Sequence, residues 1–184
     1  MIINKTSIPG LLIIQPKIHN DNRGYFFESY KHSDFELNNL PTRFLQQNQS
    51  KSTRGVLRGL HYQLQYGQDK LVWVSQGEVM DVAVDIRKGS PTFGHYESLI
   101  LNDKNHYRFY IPKGFAHGYY VLSEIAIFQY MTTEIYHQED EYGIIWSDPD
   151  INIDWPNREK LVSDNDGKLP RLKHIETNKL PLYK

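Results

Sequence analysis

Arg58, Gly59 and His61 stand close together in Leu57-Arg58-Gly59-Leu60-His61-Tyr62-Gln63, a stretch that otherwise reads as strand. In a regular strand, positions 58 and 61 point to opposite faces. A bulge at Gly59 would bring the guanidinium and the imidazole to one side, where both could face a single cavity. The alternative is a core histidine bonded to backbone and an arginine on the surface. A second histidine, His117, follows the turn-like Pro112-Lys113-Gly114 and opens another strand-like stretch. Histidine, with an unperturbed pKa of roughly 6.5, is suited to moving protons near neutral pH. A metal needs three or four placed ligands; two histidines are too few, and no third ligand is evident nearby. Tyr130 and Glu141 complete the polar set, although by residue type alone the first is a packing residue and the second a solvated one.

The elements that must position these groups are short strands separated by turn residues. Candidate strands cover residues 11–14, 25–30, 44–49, 56–62, 71–75, 79–86, 96–101, 108–111, 118–122, 125–133 and 151–155. The clearest is 79–86, where Met80, Val82, Val84 and Ile86 fall on one face and Asp81, Ala83 and Asp85 on the other. Helix signals are scarce: Ser33-Asp34-Phe35-Glu36 has the form of a capping box opening a short helix that ends near Asn38-Asn39. From about Asn157 the chain turns polar, with Pro170 and Pro181, and reads as a tail laid over the domain. This spacing of strands, with almost no helix, predicts a single all-β domain over 1–184, built as an antiparallel sandwich or jelly roll.

Composition removes several classes of function. The 184 residues carry 21 Lys+Arg against 22 Asp+Glu, a net charge of −1, so there is no basic field for nucleic acid or a membrane surface. With no cysteine there is no disulfide framework, no thiolate nucleophile and no zinc–cysteine site. The longest apolar runs are far too short to span a bilayer, and the N-terminus lacks the layout of a signal peptide. The expectation is a cytoplasmic protein.

The Pro112-x-Gly114 turn delivering His117 resembles the second motif of the cupin superfamily, whose metal-binding members place two histidines in the first motif; here Leu60-His61-Tyr62-Gln63 has one. A closer resemblance rests on five runs in order: Arg23-Gly24-Tyr25-Phe26-Phe27-Glu28, residues 55–63, Lys70-Leu71-Val72, residues 81–94 and Pro112 to Gly118. Together they resemble the dTDP-4-dehydrorhamnose 3,5-epimerase family over about residues 8–170. That resemblance implies a cupin-type jelly roll, a nucleotide-sugar substrate, no cofactor, and a homodimer with an exchanged N-terminal strand. It also implies roles. His61 would be the general base with Asp166 as its carboxylate partner, Tyr130 the acid on the opposite face, and Lys70 the group stabilising an enolate oxygen. Arg58, His117 and Glu141 would line the sugar and pyrophosphate site, while Arg23, Phe26, Glu28, Gln46 and Asn48 would hold the nucleotide end. Tyr136 competes with Tyr130 and Asp164 with Asp166; Tyr130 is preferred for its spacing to Glu141. The sequence departs from the family pattern at Gln47, Trp73 and Asn165, where the family usually carries Asp, Arg and Lys.

The chemistry is consistent with those roles. A C4 ketone acidifies the hydrogens at C3 and C5 only if the enolate is stabilised, and inversion needs a base on one face and an acid on the other. A carboxylate partner fixes the tautomer of the histidine, and positioned proton transfer contributes about 10²- to 10⁴-fold. The same parts could serve a 3-epimerase or a 3,4-ketoisomerase. A metal-dependent cupin enzyme and a non-catalytic sugar-binding module are the readings from other classes.

Overall fold

The computed structural model describes residues 1–183. Strands β1 (Ile2–Lys5), β2 (Leu12–Gln15), β3 (His19–Asp21) and β4 (Gly24–Phe26) precede a single short helix, α1 (His32–Leu37). Then follow β5 (Gln46–Thr53), β6 (Leu57–Gln63), β7 (Lys70–Gln76), β8 (Glu78–Asp85), β9 (Tyr96–Asn102), β10 (Arg108–Ile111), β11 (Phe115–Val121), β12 (Ile125–Thr132) and β13 (Glu141–Gly143). They form a six-stranded sheet in the order β1-β2-β10-β7-β12-β5 and a five-stranded sheet in the order β13-β6-β11-β8-β9, with β3 and β4 as a separate hairpin. All ladders between these strands are antiparallel. This is the cupin-type β-sandwich the strand spacing and the resemblance predict.

The two sheets close on each other through side chains such as Val72, Val74, Ala83, Phe109, Tyr119 and Phe128, all buried. The strand at 79–86 is buried on both faces, and its alternation therefore separates two interiors, not core from solvent. Val79 and Ala83 face the other sheet, whereas Met80, Val82, Val84 and Ile86 face outward and are covered by the chain that follows β13, including Ile144, Ile151, Trp155 and Leu172. The tail thus supplies the second layer that the outer face of this sheet needs.

Three local expectations are corrected. Residues 151–155 form no strand; Ile151 and Trp155 are buried on the sheet from an irregular segment, with the Trp155 indole donating to the Trp146 carbonyl at 2.9 Å. The helix N-cap is Lys31, without a side-chain cap, so Ser33 lies inside the first turn and does not close a capping box. What fixes α1 is Phe35, fully buried against Leu71 and Tyr110 on the outer face of the six-stranded sheet. The strand expected at 25–30 ends at Phe26, and β1, β3 and β13 were not expected at all.

Candidate active site

The site begins at Gly59. Pairing between β6 and β11 matches His61 with His117 and Arg58 with Tyr119, so β6 spends one more residue than β11 over this stretch. That bulge turns Arg58 and His61 to the same side, into the space between the sheets. Gly59 has φ +110°, and a Cβ there would lie 2.7 Å from the Gly118 Cα and from the His117 carbonyl oxygen. Gly118 is constrained from the other side, since its Cβ would lie 2.5 Å from the Arg58 carbonyl oxygen. Two glycines therefore let the two histidine-bearing strands approach.

The space they face is a cavity of about 830 Å³, continuous in its lining with a smaller lobe of about 280 Å³. His61, Lys70, Tyr130, Glu141 and Asn48 border both. Arg58, His117 and Asp166 border the larger space, and Gln46 with Tyr136 the smaller. Volumes of this size suit a substantial small-molecule ligand.

His61 and Asp166 form a close pair: Nε2 to Oδ1 is 2.7 Å. The other carboxylate oxygen accepts the Gly59 backbone N–H at 3.1 Å, so the bulge that aims His61 also anchors its partner. Asp166 itself stands in a 3-10 turn (Asp166–Lys168) within a segment tied to β6 by backbone bonds between Leu161 and both Gly55 and Leu57. Burial, the largest influence, pushes the Asp166 carboxyl up; the bonds from His61, the Gly59 N–H and Ser163 outweigh it and hold the group below the ordinary aspartate value. Asp166 is thus an acceptor. With Nε2 of His61 engaged by this acceptor, Nδ1 is the ring nitrogen left without that partner.

Across the cavity, the six-stranded sheet contributes Lys70 and Tyr130, with Lys70 set against Thr132 and Tyr130 against Val72 in the β7–β12 pairing. Burial lowers the Lys70 pKa from 10.5 to about 8, opposed by the nearby charges of Asp81 and Glu141. Burial chiefly raises the Tyr130 phenol, helped by Tyr119 and Glu141 and opposed by Arg58. Tyr136 lines only the smaller lobe; its hydroxyl donates to Glu141 at 2.8 Å, and its pKa is pushed up to about 12 by burial and by that carboxylate. Arg58 is steadied by the buried Ser52, whose hydroxyl oxygen accepts from Nε and Nη2 at 3.2 Å each. Gln46 is held by Asn48 at 2.9 Å and by the Tyr136 backbone N–H at 2.8 Å.

Nine of the expected site residues therefore meet at one place: His61, Lys70, Tyr130, Asp166, Arg58, His117, Glu141, Gln46 and Asn48. Arg23, Phe26 and Glu28 do not. They lie on the β3–β4 hairpin and just after it, exposed, with Arg23 engaged by Asp21 and Glu28 by Lys31. Sequence reasoning missed Asp81, fully buried, whose carboxylate holds His117 Nε2 at 2.9 and 3.1 Å. The signal was present as an acid inside an apolar strand. Tyr119 was missed as well; it stacks on Phe128 and its hydroxyl shares a 2.8 Å hydrogen bond with Ser50 in the cavity wall. Among the described residues no three His, Asp or Glu side chains converge as a metal-ligand set.

A cupin-type sandwich with His61 on one sheet, its partner Asp166 on the segment laid against that sheet, and Lys70 and Tyr130 on the facing sheet has the parts of a carbohydrate epimerase of the proton-transfer kind. The profile of the dTDP-4-dehydrorhamnose 3,5-epimerase family matches residues 5–174, and the chain belongs to that family. It is 52% identical over 152 residues to dTDP-4-dehydrorhamnose 3,5-epimerase of Methanothermobacter thermautotrophicus, covering 83% of this chain and 82% of that one. With the enzyme of the same name from Escherichia coli K12 it shares 46% identity over 183 residues, 98% of this chain and 99% of that one. The crystal structure of dTDP-6-deoxy-D-glucose-3,5-epimerase from Legionella pneumophila, in complex with dTDP-4-keto-L-rhamnose, superposes with a TM-score of 0.95 at 50% identity, covering 99% of this chain and 98% of that one. Like these relatives, the chain is an isomerase.

Proposed function

We propose that the protein inverts C3 and C5 of dTDP-4-dehydro-6-deoxy-D-glucose to give dTDP-4-dehydro-L-rhamnose. The observation that carries this reading is that His61 and Tyr130 come from opposite sheets to one cavity, which is the arrangement inversion requires. In the proposed course, His61 Nδ1 takes the proton from the carbon beside the ketone, and the electron pair moves onto the C4 oxygen. The Lys70 ammonium stabilises that enolate oxygen; a preorganised donor at a developing oxyanion contributes about 3 kcal/mol or more. The Tyr130 hydroxyl then protonates the same carbon from the other face, and solvent resets both groups. Repetition at the second carbon completes the reaction without change of redox state. Arg58 is the guanidinium placed for the diphosphate, with His117 and Glu141 beside the sugar, and Gln46 and Asn48 offer amide donors and acceptors to the nucleotide end.

The whole chain acts in this reading as one epimerase unit, its C-terminal segment supplying Asp166. The exposed Arg23, Phe26 and Glu28 are assigned to the nucleotide end of a partner's site in a homodimer with an exchanged N-terminal strand. Support for that arrangement is that they do not line the chain's own cavity and that Tyr25 (58%) and Phe26 (67%) are exposed on the hairpin. Within the single chain β1 pairs with β2 as the edge of its sheet, an edge that a second copy would cover. A monomeric mass in light scattering at micromolar concentration would remove the dimer. Among the described residues no helix is long and apolar enough to cross a membrane, in keeping with a proposed cytoplasmic location.

The test is proton NMR of dTDP-4-keto-6-deoxyglucose with the protein in deuterated water. Loss of the C3 and C5 signals together is the expected result. Loss at C3 alone would make the protein a 3-epimerase or a ketoisomerase, and absence of exchange would overturn the reading. His61→Ala is expected to remove exchange at both carbons.

A further inference from the structure

Asp81 is fully buried on β8 and faces the space between the sheets, yet nothing in packing explains a carboxylate there. Its hydrogen bonds, among the described residues, are the two to His117 Nε2. A buried carboxylate with a single hydrogen-bonding partner is costly to a fold, and an apolar residue of similar size would serve the core better. The same carboxylate also acts on Lys70, which stands on the facing sheet: of the charges that favour the ammonium form, Asp81 is the strongest and Glu141 the second. No direct ion pair joins Asp81 to Lys70, so this action is through space. Besides Glu141, the titratable groups bordering the cavity and its smaller lobe are Arg58, His61 and Tyr62 on β6, His117 and Tyr119 on β11, Tyr130 on β12, Tyr136 from the loop after β12, Tyr142 on β13 and Asp166 from the C-terminal segment. Of these only Asp166 is an anion at neutral pH, and its two oxygens are taken up by His61 and the Gly59 N–H. The charges that favour the Lys70 ammonium are those of Asp81 on β8 and Glu141 on β13.

We propose that Asp81 is a positioning residue of the epimerisation, which aims the His117 ring and holds the Lys70 ammonium charged against the ketone from the opposite sheet. The inference rests on the epimerase reading, because it gives Lys70 work to do only if an enolate oxygen forms beside it. By binding Nε2, Asp81 leaves His117 Nδ1 as the ring nitrogen open to a ligand, and the ring plane is set before substrate arrives. At the same time its field offsets part of the burial that drives Lys70 towards the neutral amine. One carboxylate thereby fixes a hydrogen-bonding group on one sheet and the charge of a stabilising cation on the other.

The experiment is the pH dependence of kcat/KM, read from deuterium incorporation at C3 and C5, for wild type, Asp81→Asn and the double variant Asp81→Asn/Lys70→Arg. In Asp81→Asn the alkaline limb is expected to move down by roughly one pH unit, since the strongest favourable charge is gone. The double variant should lose that limb, because a guanidinium does not titrate in the range. A limb that stays at the wild-type position in Asp81→Asn, with rate loss matching only the fraction unfolded, overturns the proposal. If Asp81→Asn does not fold, Asp81→Glu decides. It keeps the charge but shifts the oxygens by a methylene, so the limb should stay and kcat of the folded protein should fall about tenfold; an unchanged kcat overturns the proposal. Absence of exchange in the wild type would sink the epimerase reading itself. Exchange in wild type with an unmoved limb in Asp81→Asn sinks only the role given to Asp81.

Discussion

The Asp166 carboxylate meets His61 Nε2 at 2.7 Å although 105 residues separate the two in the chain, and the same carboxylate is pinned by the backbone N–H of Gly59, two residues before His61. Aim, tautomer and charge partner of the proposed base are therefore set by one short network. Asp166→Asn keeps the shape but removes the charge and allows the wrong tautomer. Deuterium exchange at C3 and C5 should fall about 10²- to 10⁴-fold, with KM changed much less. A variant exchanging at the wild-type rate would remove Asp166 from the pair.

Asp166 also carries a pH signature. Its folded-state pKa lies below the ordinary aspartate value because the hydrogen bonds named above outweigh burial. A depressed carboxyl contributes stability that is present above the unfolded value, near 3.9, and is lost as pH falls through the folded value. Acid unfolding of Asp166→Asn should consequently be shallower than that of wild type below about pH 4. Parallel acid-unfolding curves for the two proteins would count against the linkage.

Lys70 behaves in the opposite sense. Burial brings its pKa from 10.5 down to about 8, so folding favours the neutral amine. The unfolded chain binds more protons between those two values, and stability contributed by this group rises with pH across that window. At pH 7 the buried ammonium is a cost to the fold. Lys70→Met is therefore expected to raise Tm at pH 7 while lowering kcat about 10²- to 10³-fold. The wild-type kcat/KM should decline above about pH 8 as the ammonium is lost. A Tm decrease in Lys70→Met would contradict the burial cost, and a flat alkaline profile would contradict the ammonium role.

Much of this was legible in the sequence because the relevant signals are local. The strand at 79–86 and the turn before His117 read directly, and the Gly59 bulge follows from the need to put Arg58 and His61 on one face. What was not legible depends on which second surface a strand meets. The alternation of Met80 and Val82 against Asp81 and Ala83 looks like core against solvent, but the tail covers the outer face, and the polar-looking face is the interior. The importance of Asp81 was hidden by that misreading. Residues 151–155 failed for the complementary reason: Ile151 and Trp155 are apolar because they cap the sheet from irregular chain, not because they pair in one. The roles of Asp166 and Lys70 came from resemblance, since no local pattern marks an aspartate in a polar tail as the partner of a histidine far upstream.

Tyr130 and His61 should separate exchange from inversion. Tyr130→Phe removes the proposed proton donor on one face and leaves the base on the other, so deuterium should still enter at C3 while net inversion falls. The ratio of exchange at C3 to product formation is expected to rise at least about tenfold over that of wild type. Burial is the first cause that keeps the Tyr130 phenol above its ordinary value, so the group stays protonated as an acid across the working range. Equal losses of exchange and inversion would place Tyr130 in binding and return Tyr136 to consideration, although its hydroxyl is already given to Glu141.

Gly59 is the point where fold and chemistry coincide. Gly59→Ala would place a methyl group 2.7 Å from the Gly118 Cα and the His117 carbonyl oxygen, at a backbone φ of +110° that L side chains rarely adopt. Strain and overpacking together should cost about 2–4 kcal/mol of stability. The neighbouring strand is backbone at the contact and has no side chain to swing away, so relief must come from β6 parting from β11. That parting would turn Arg58 or His61 out of the cavity and pull the Gly59 N–H from Asp166. Activity per folded molecule should therefore drop by more than tenfold, as expected for a misplacement of about 1 Å. Urea unfolding and exchange kinetics on the same preparation test both halves. Full activity in the folded fraction would mean that the bulge is a packing device only and that His61 is aimed by Asp166 alone.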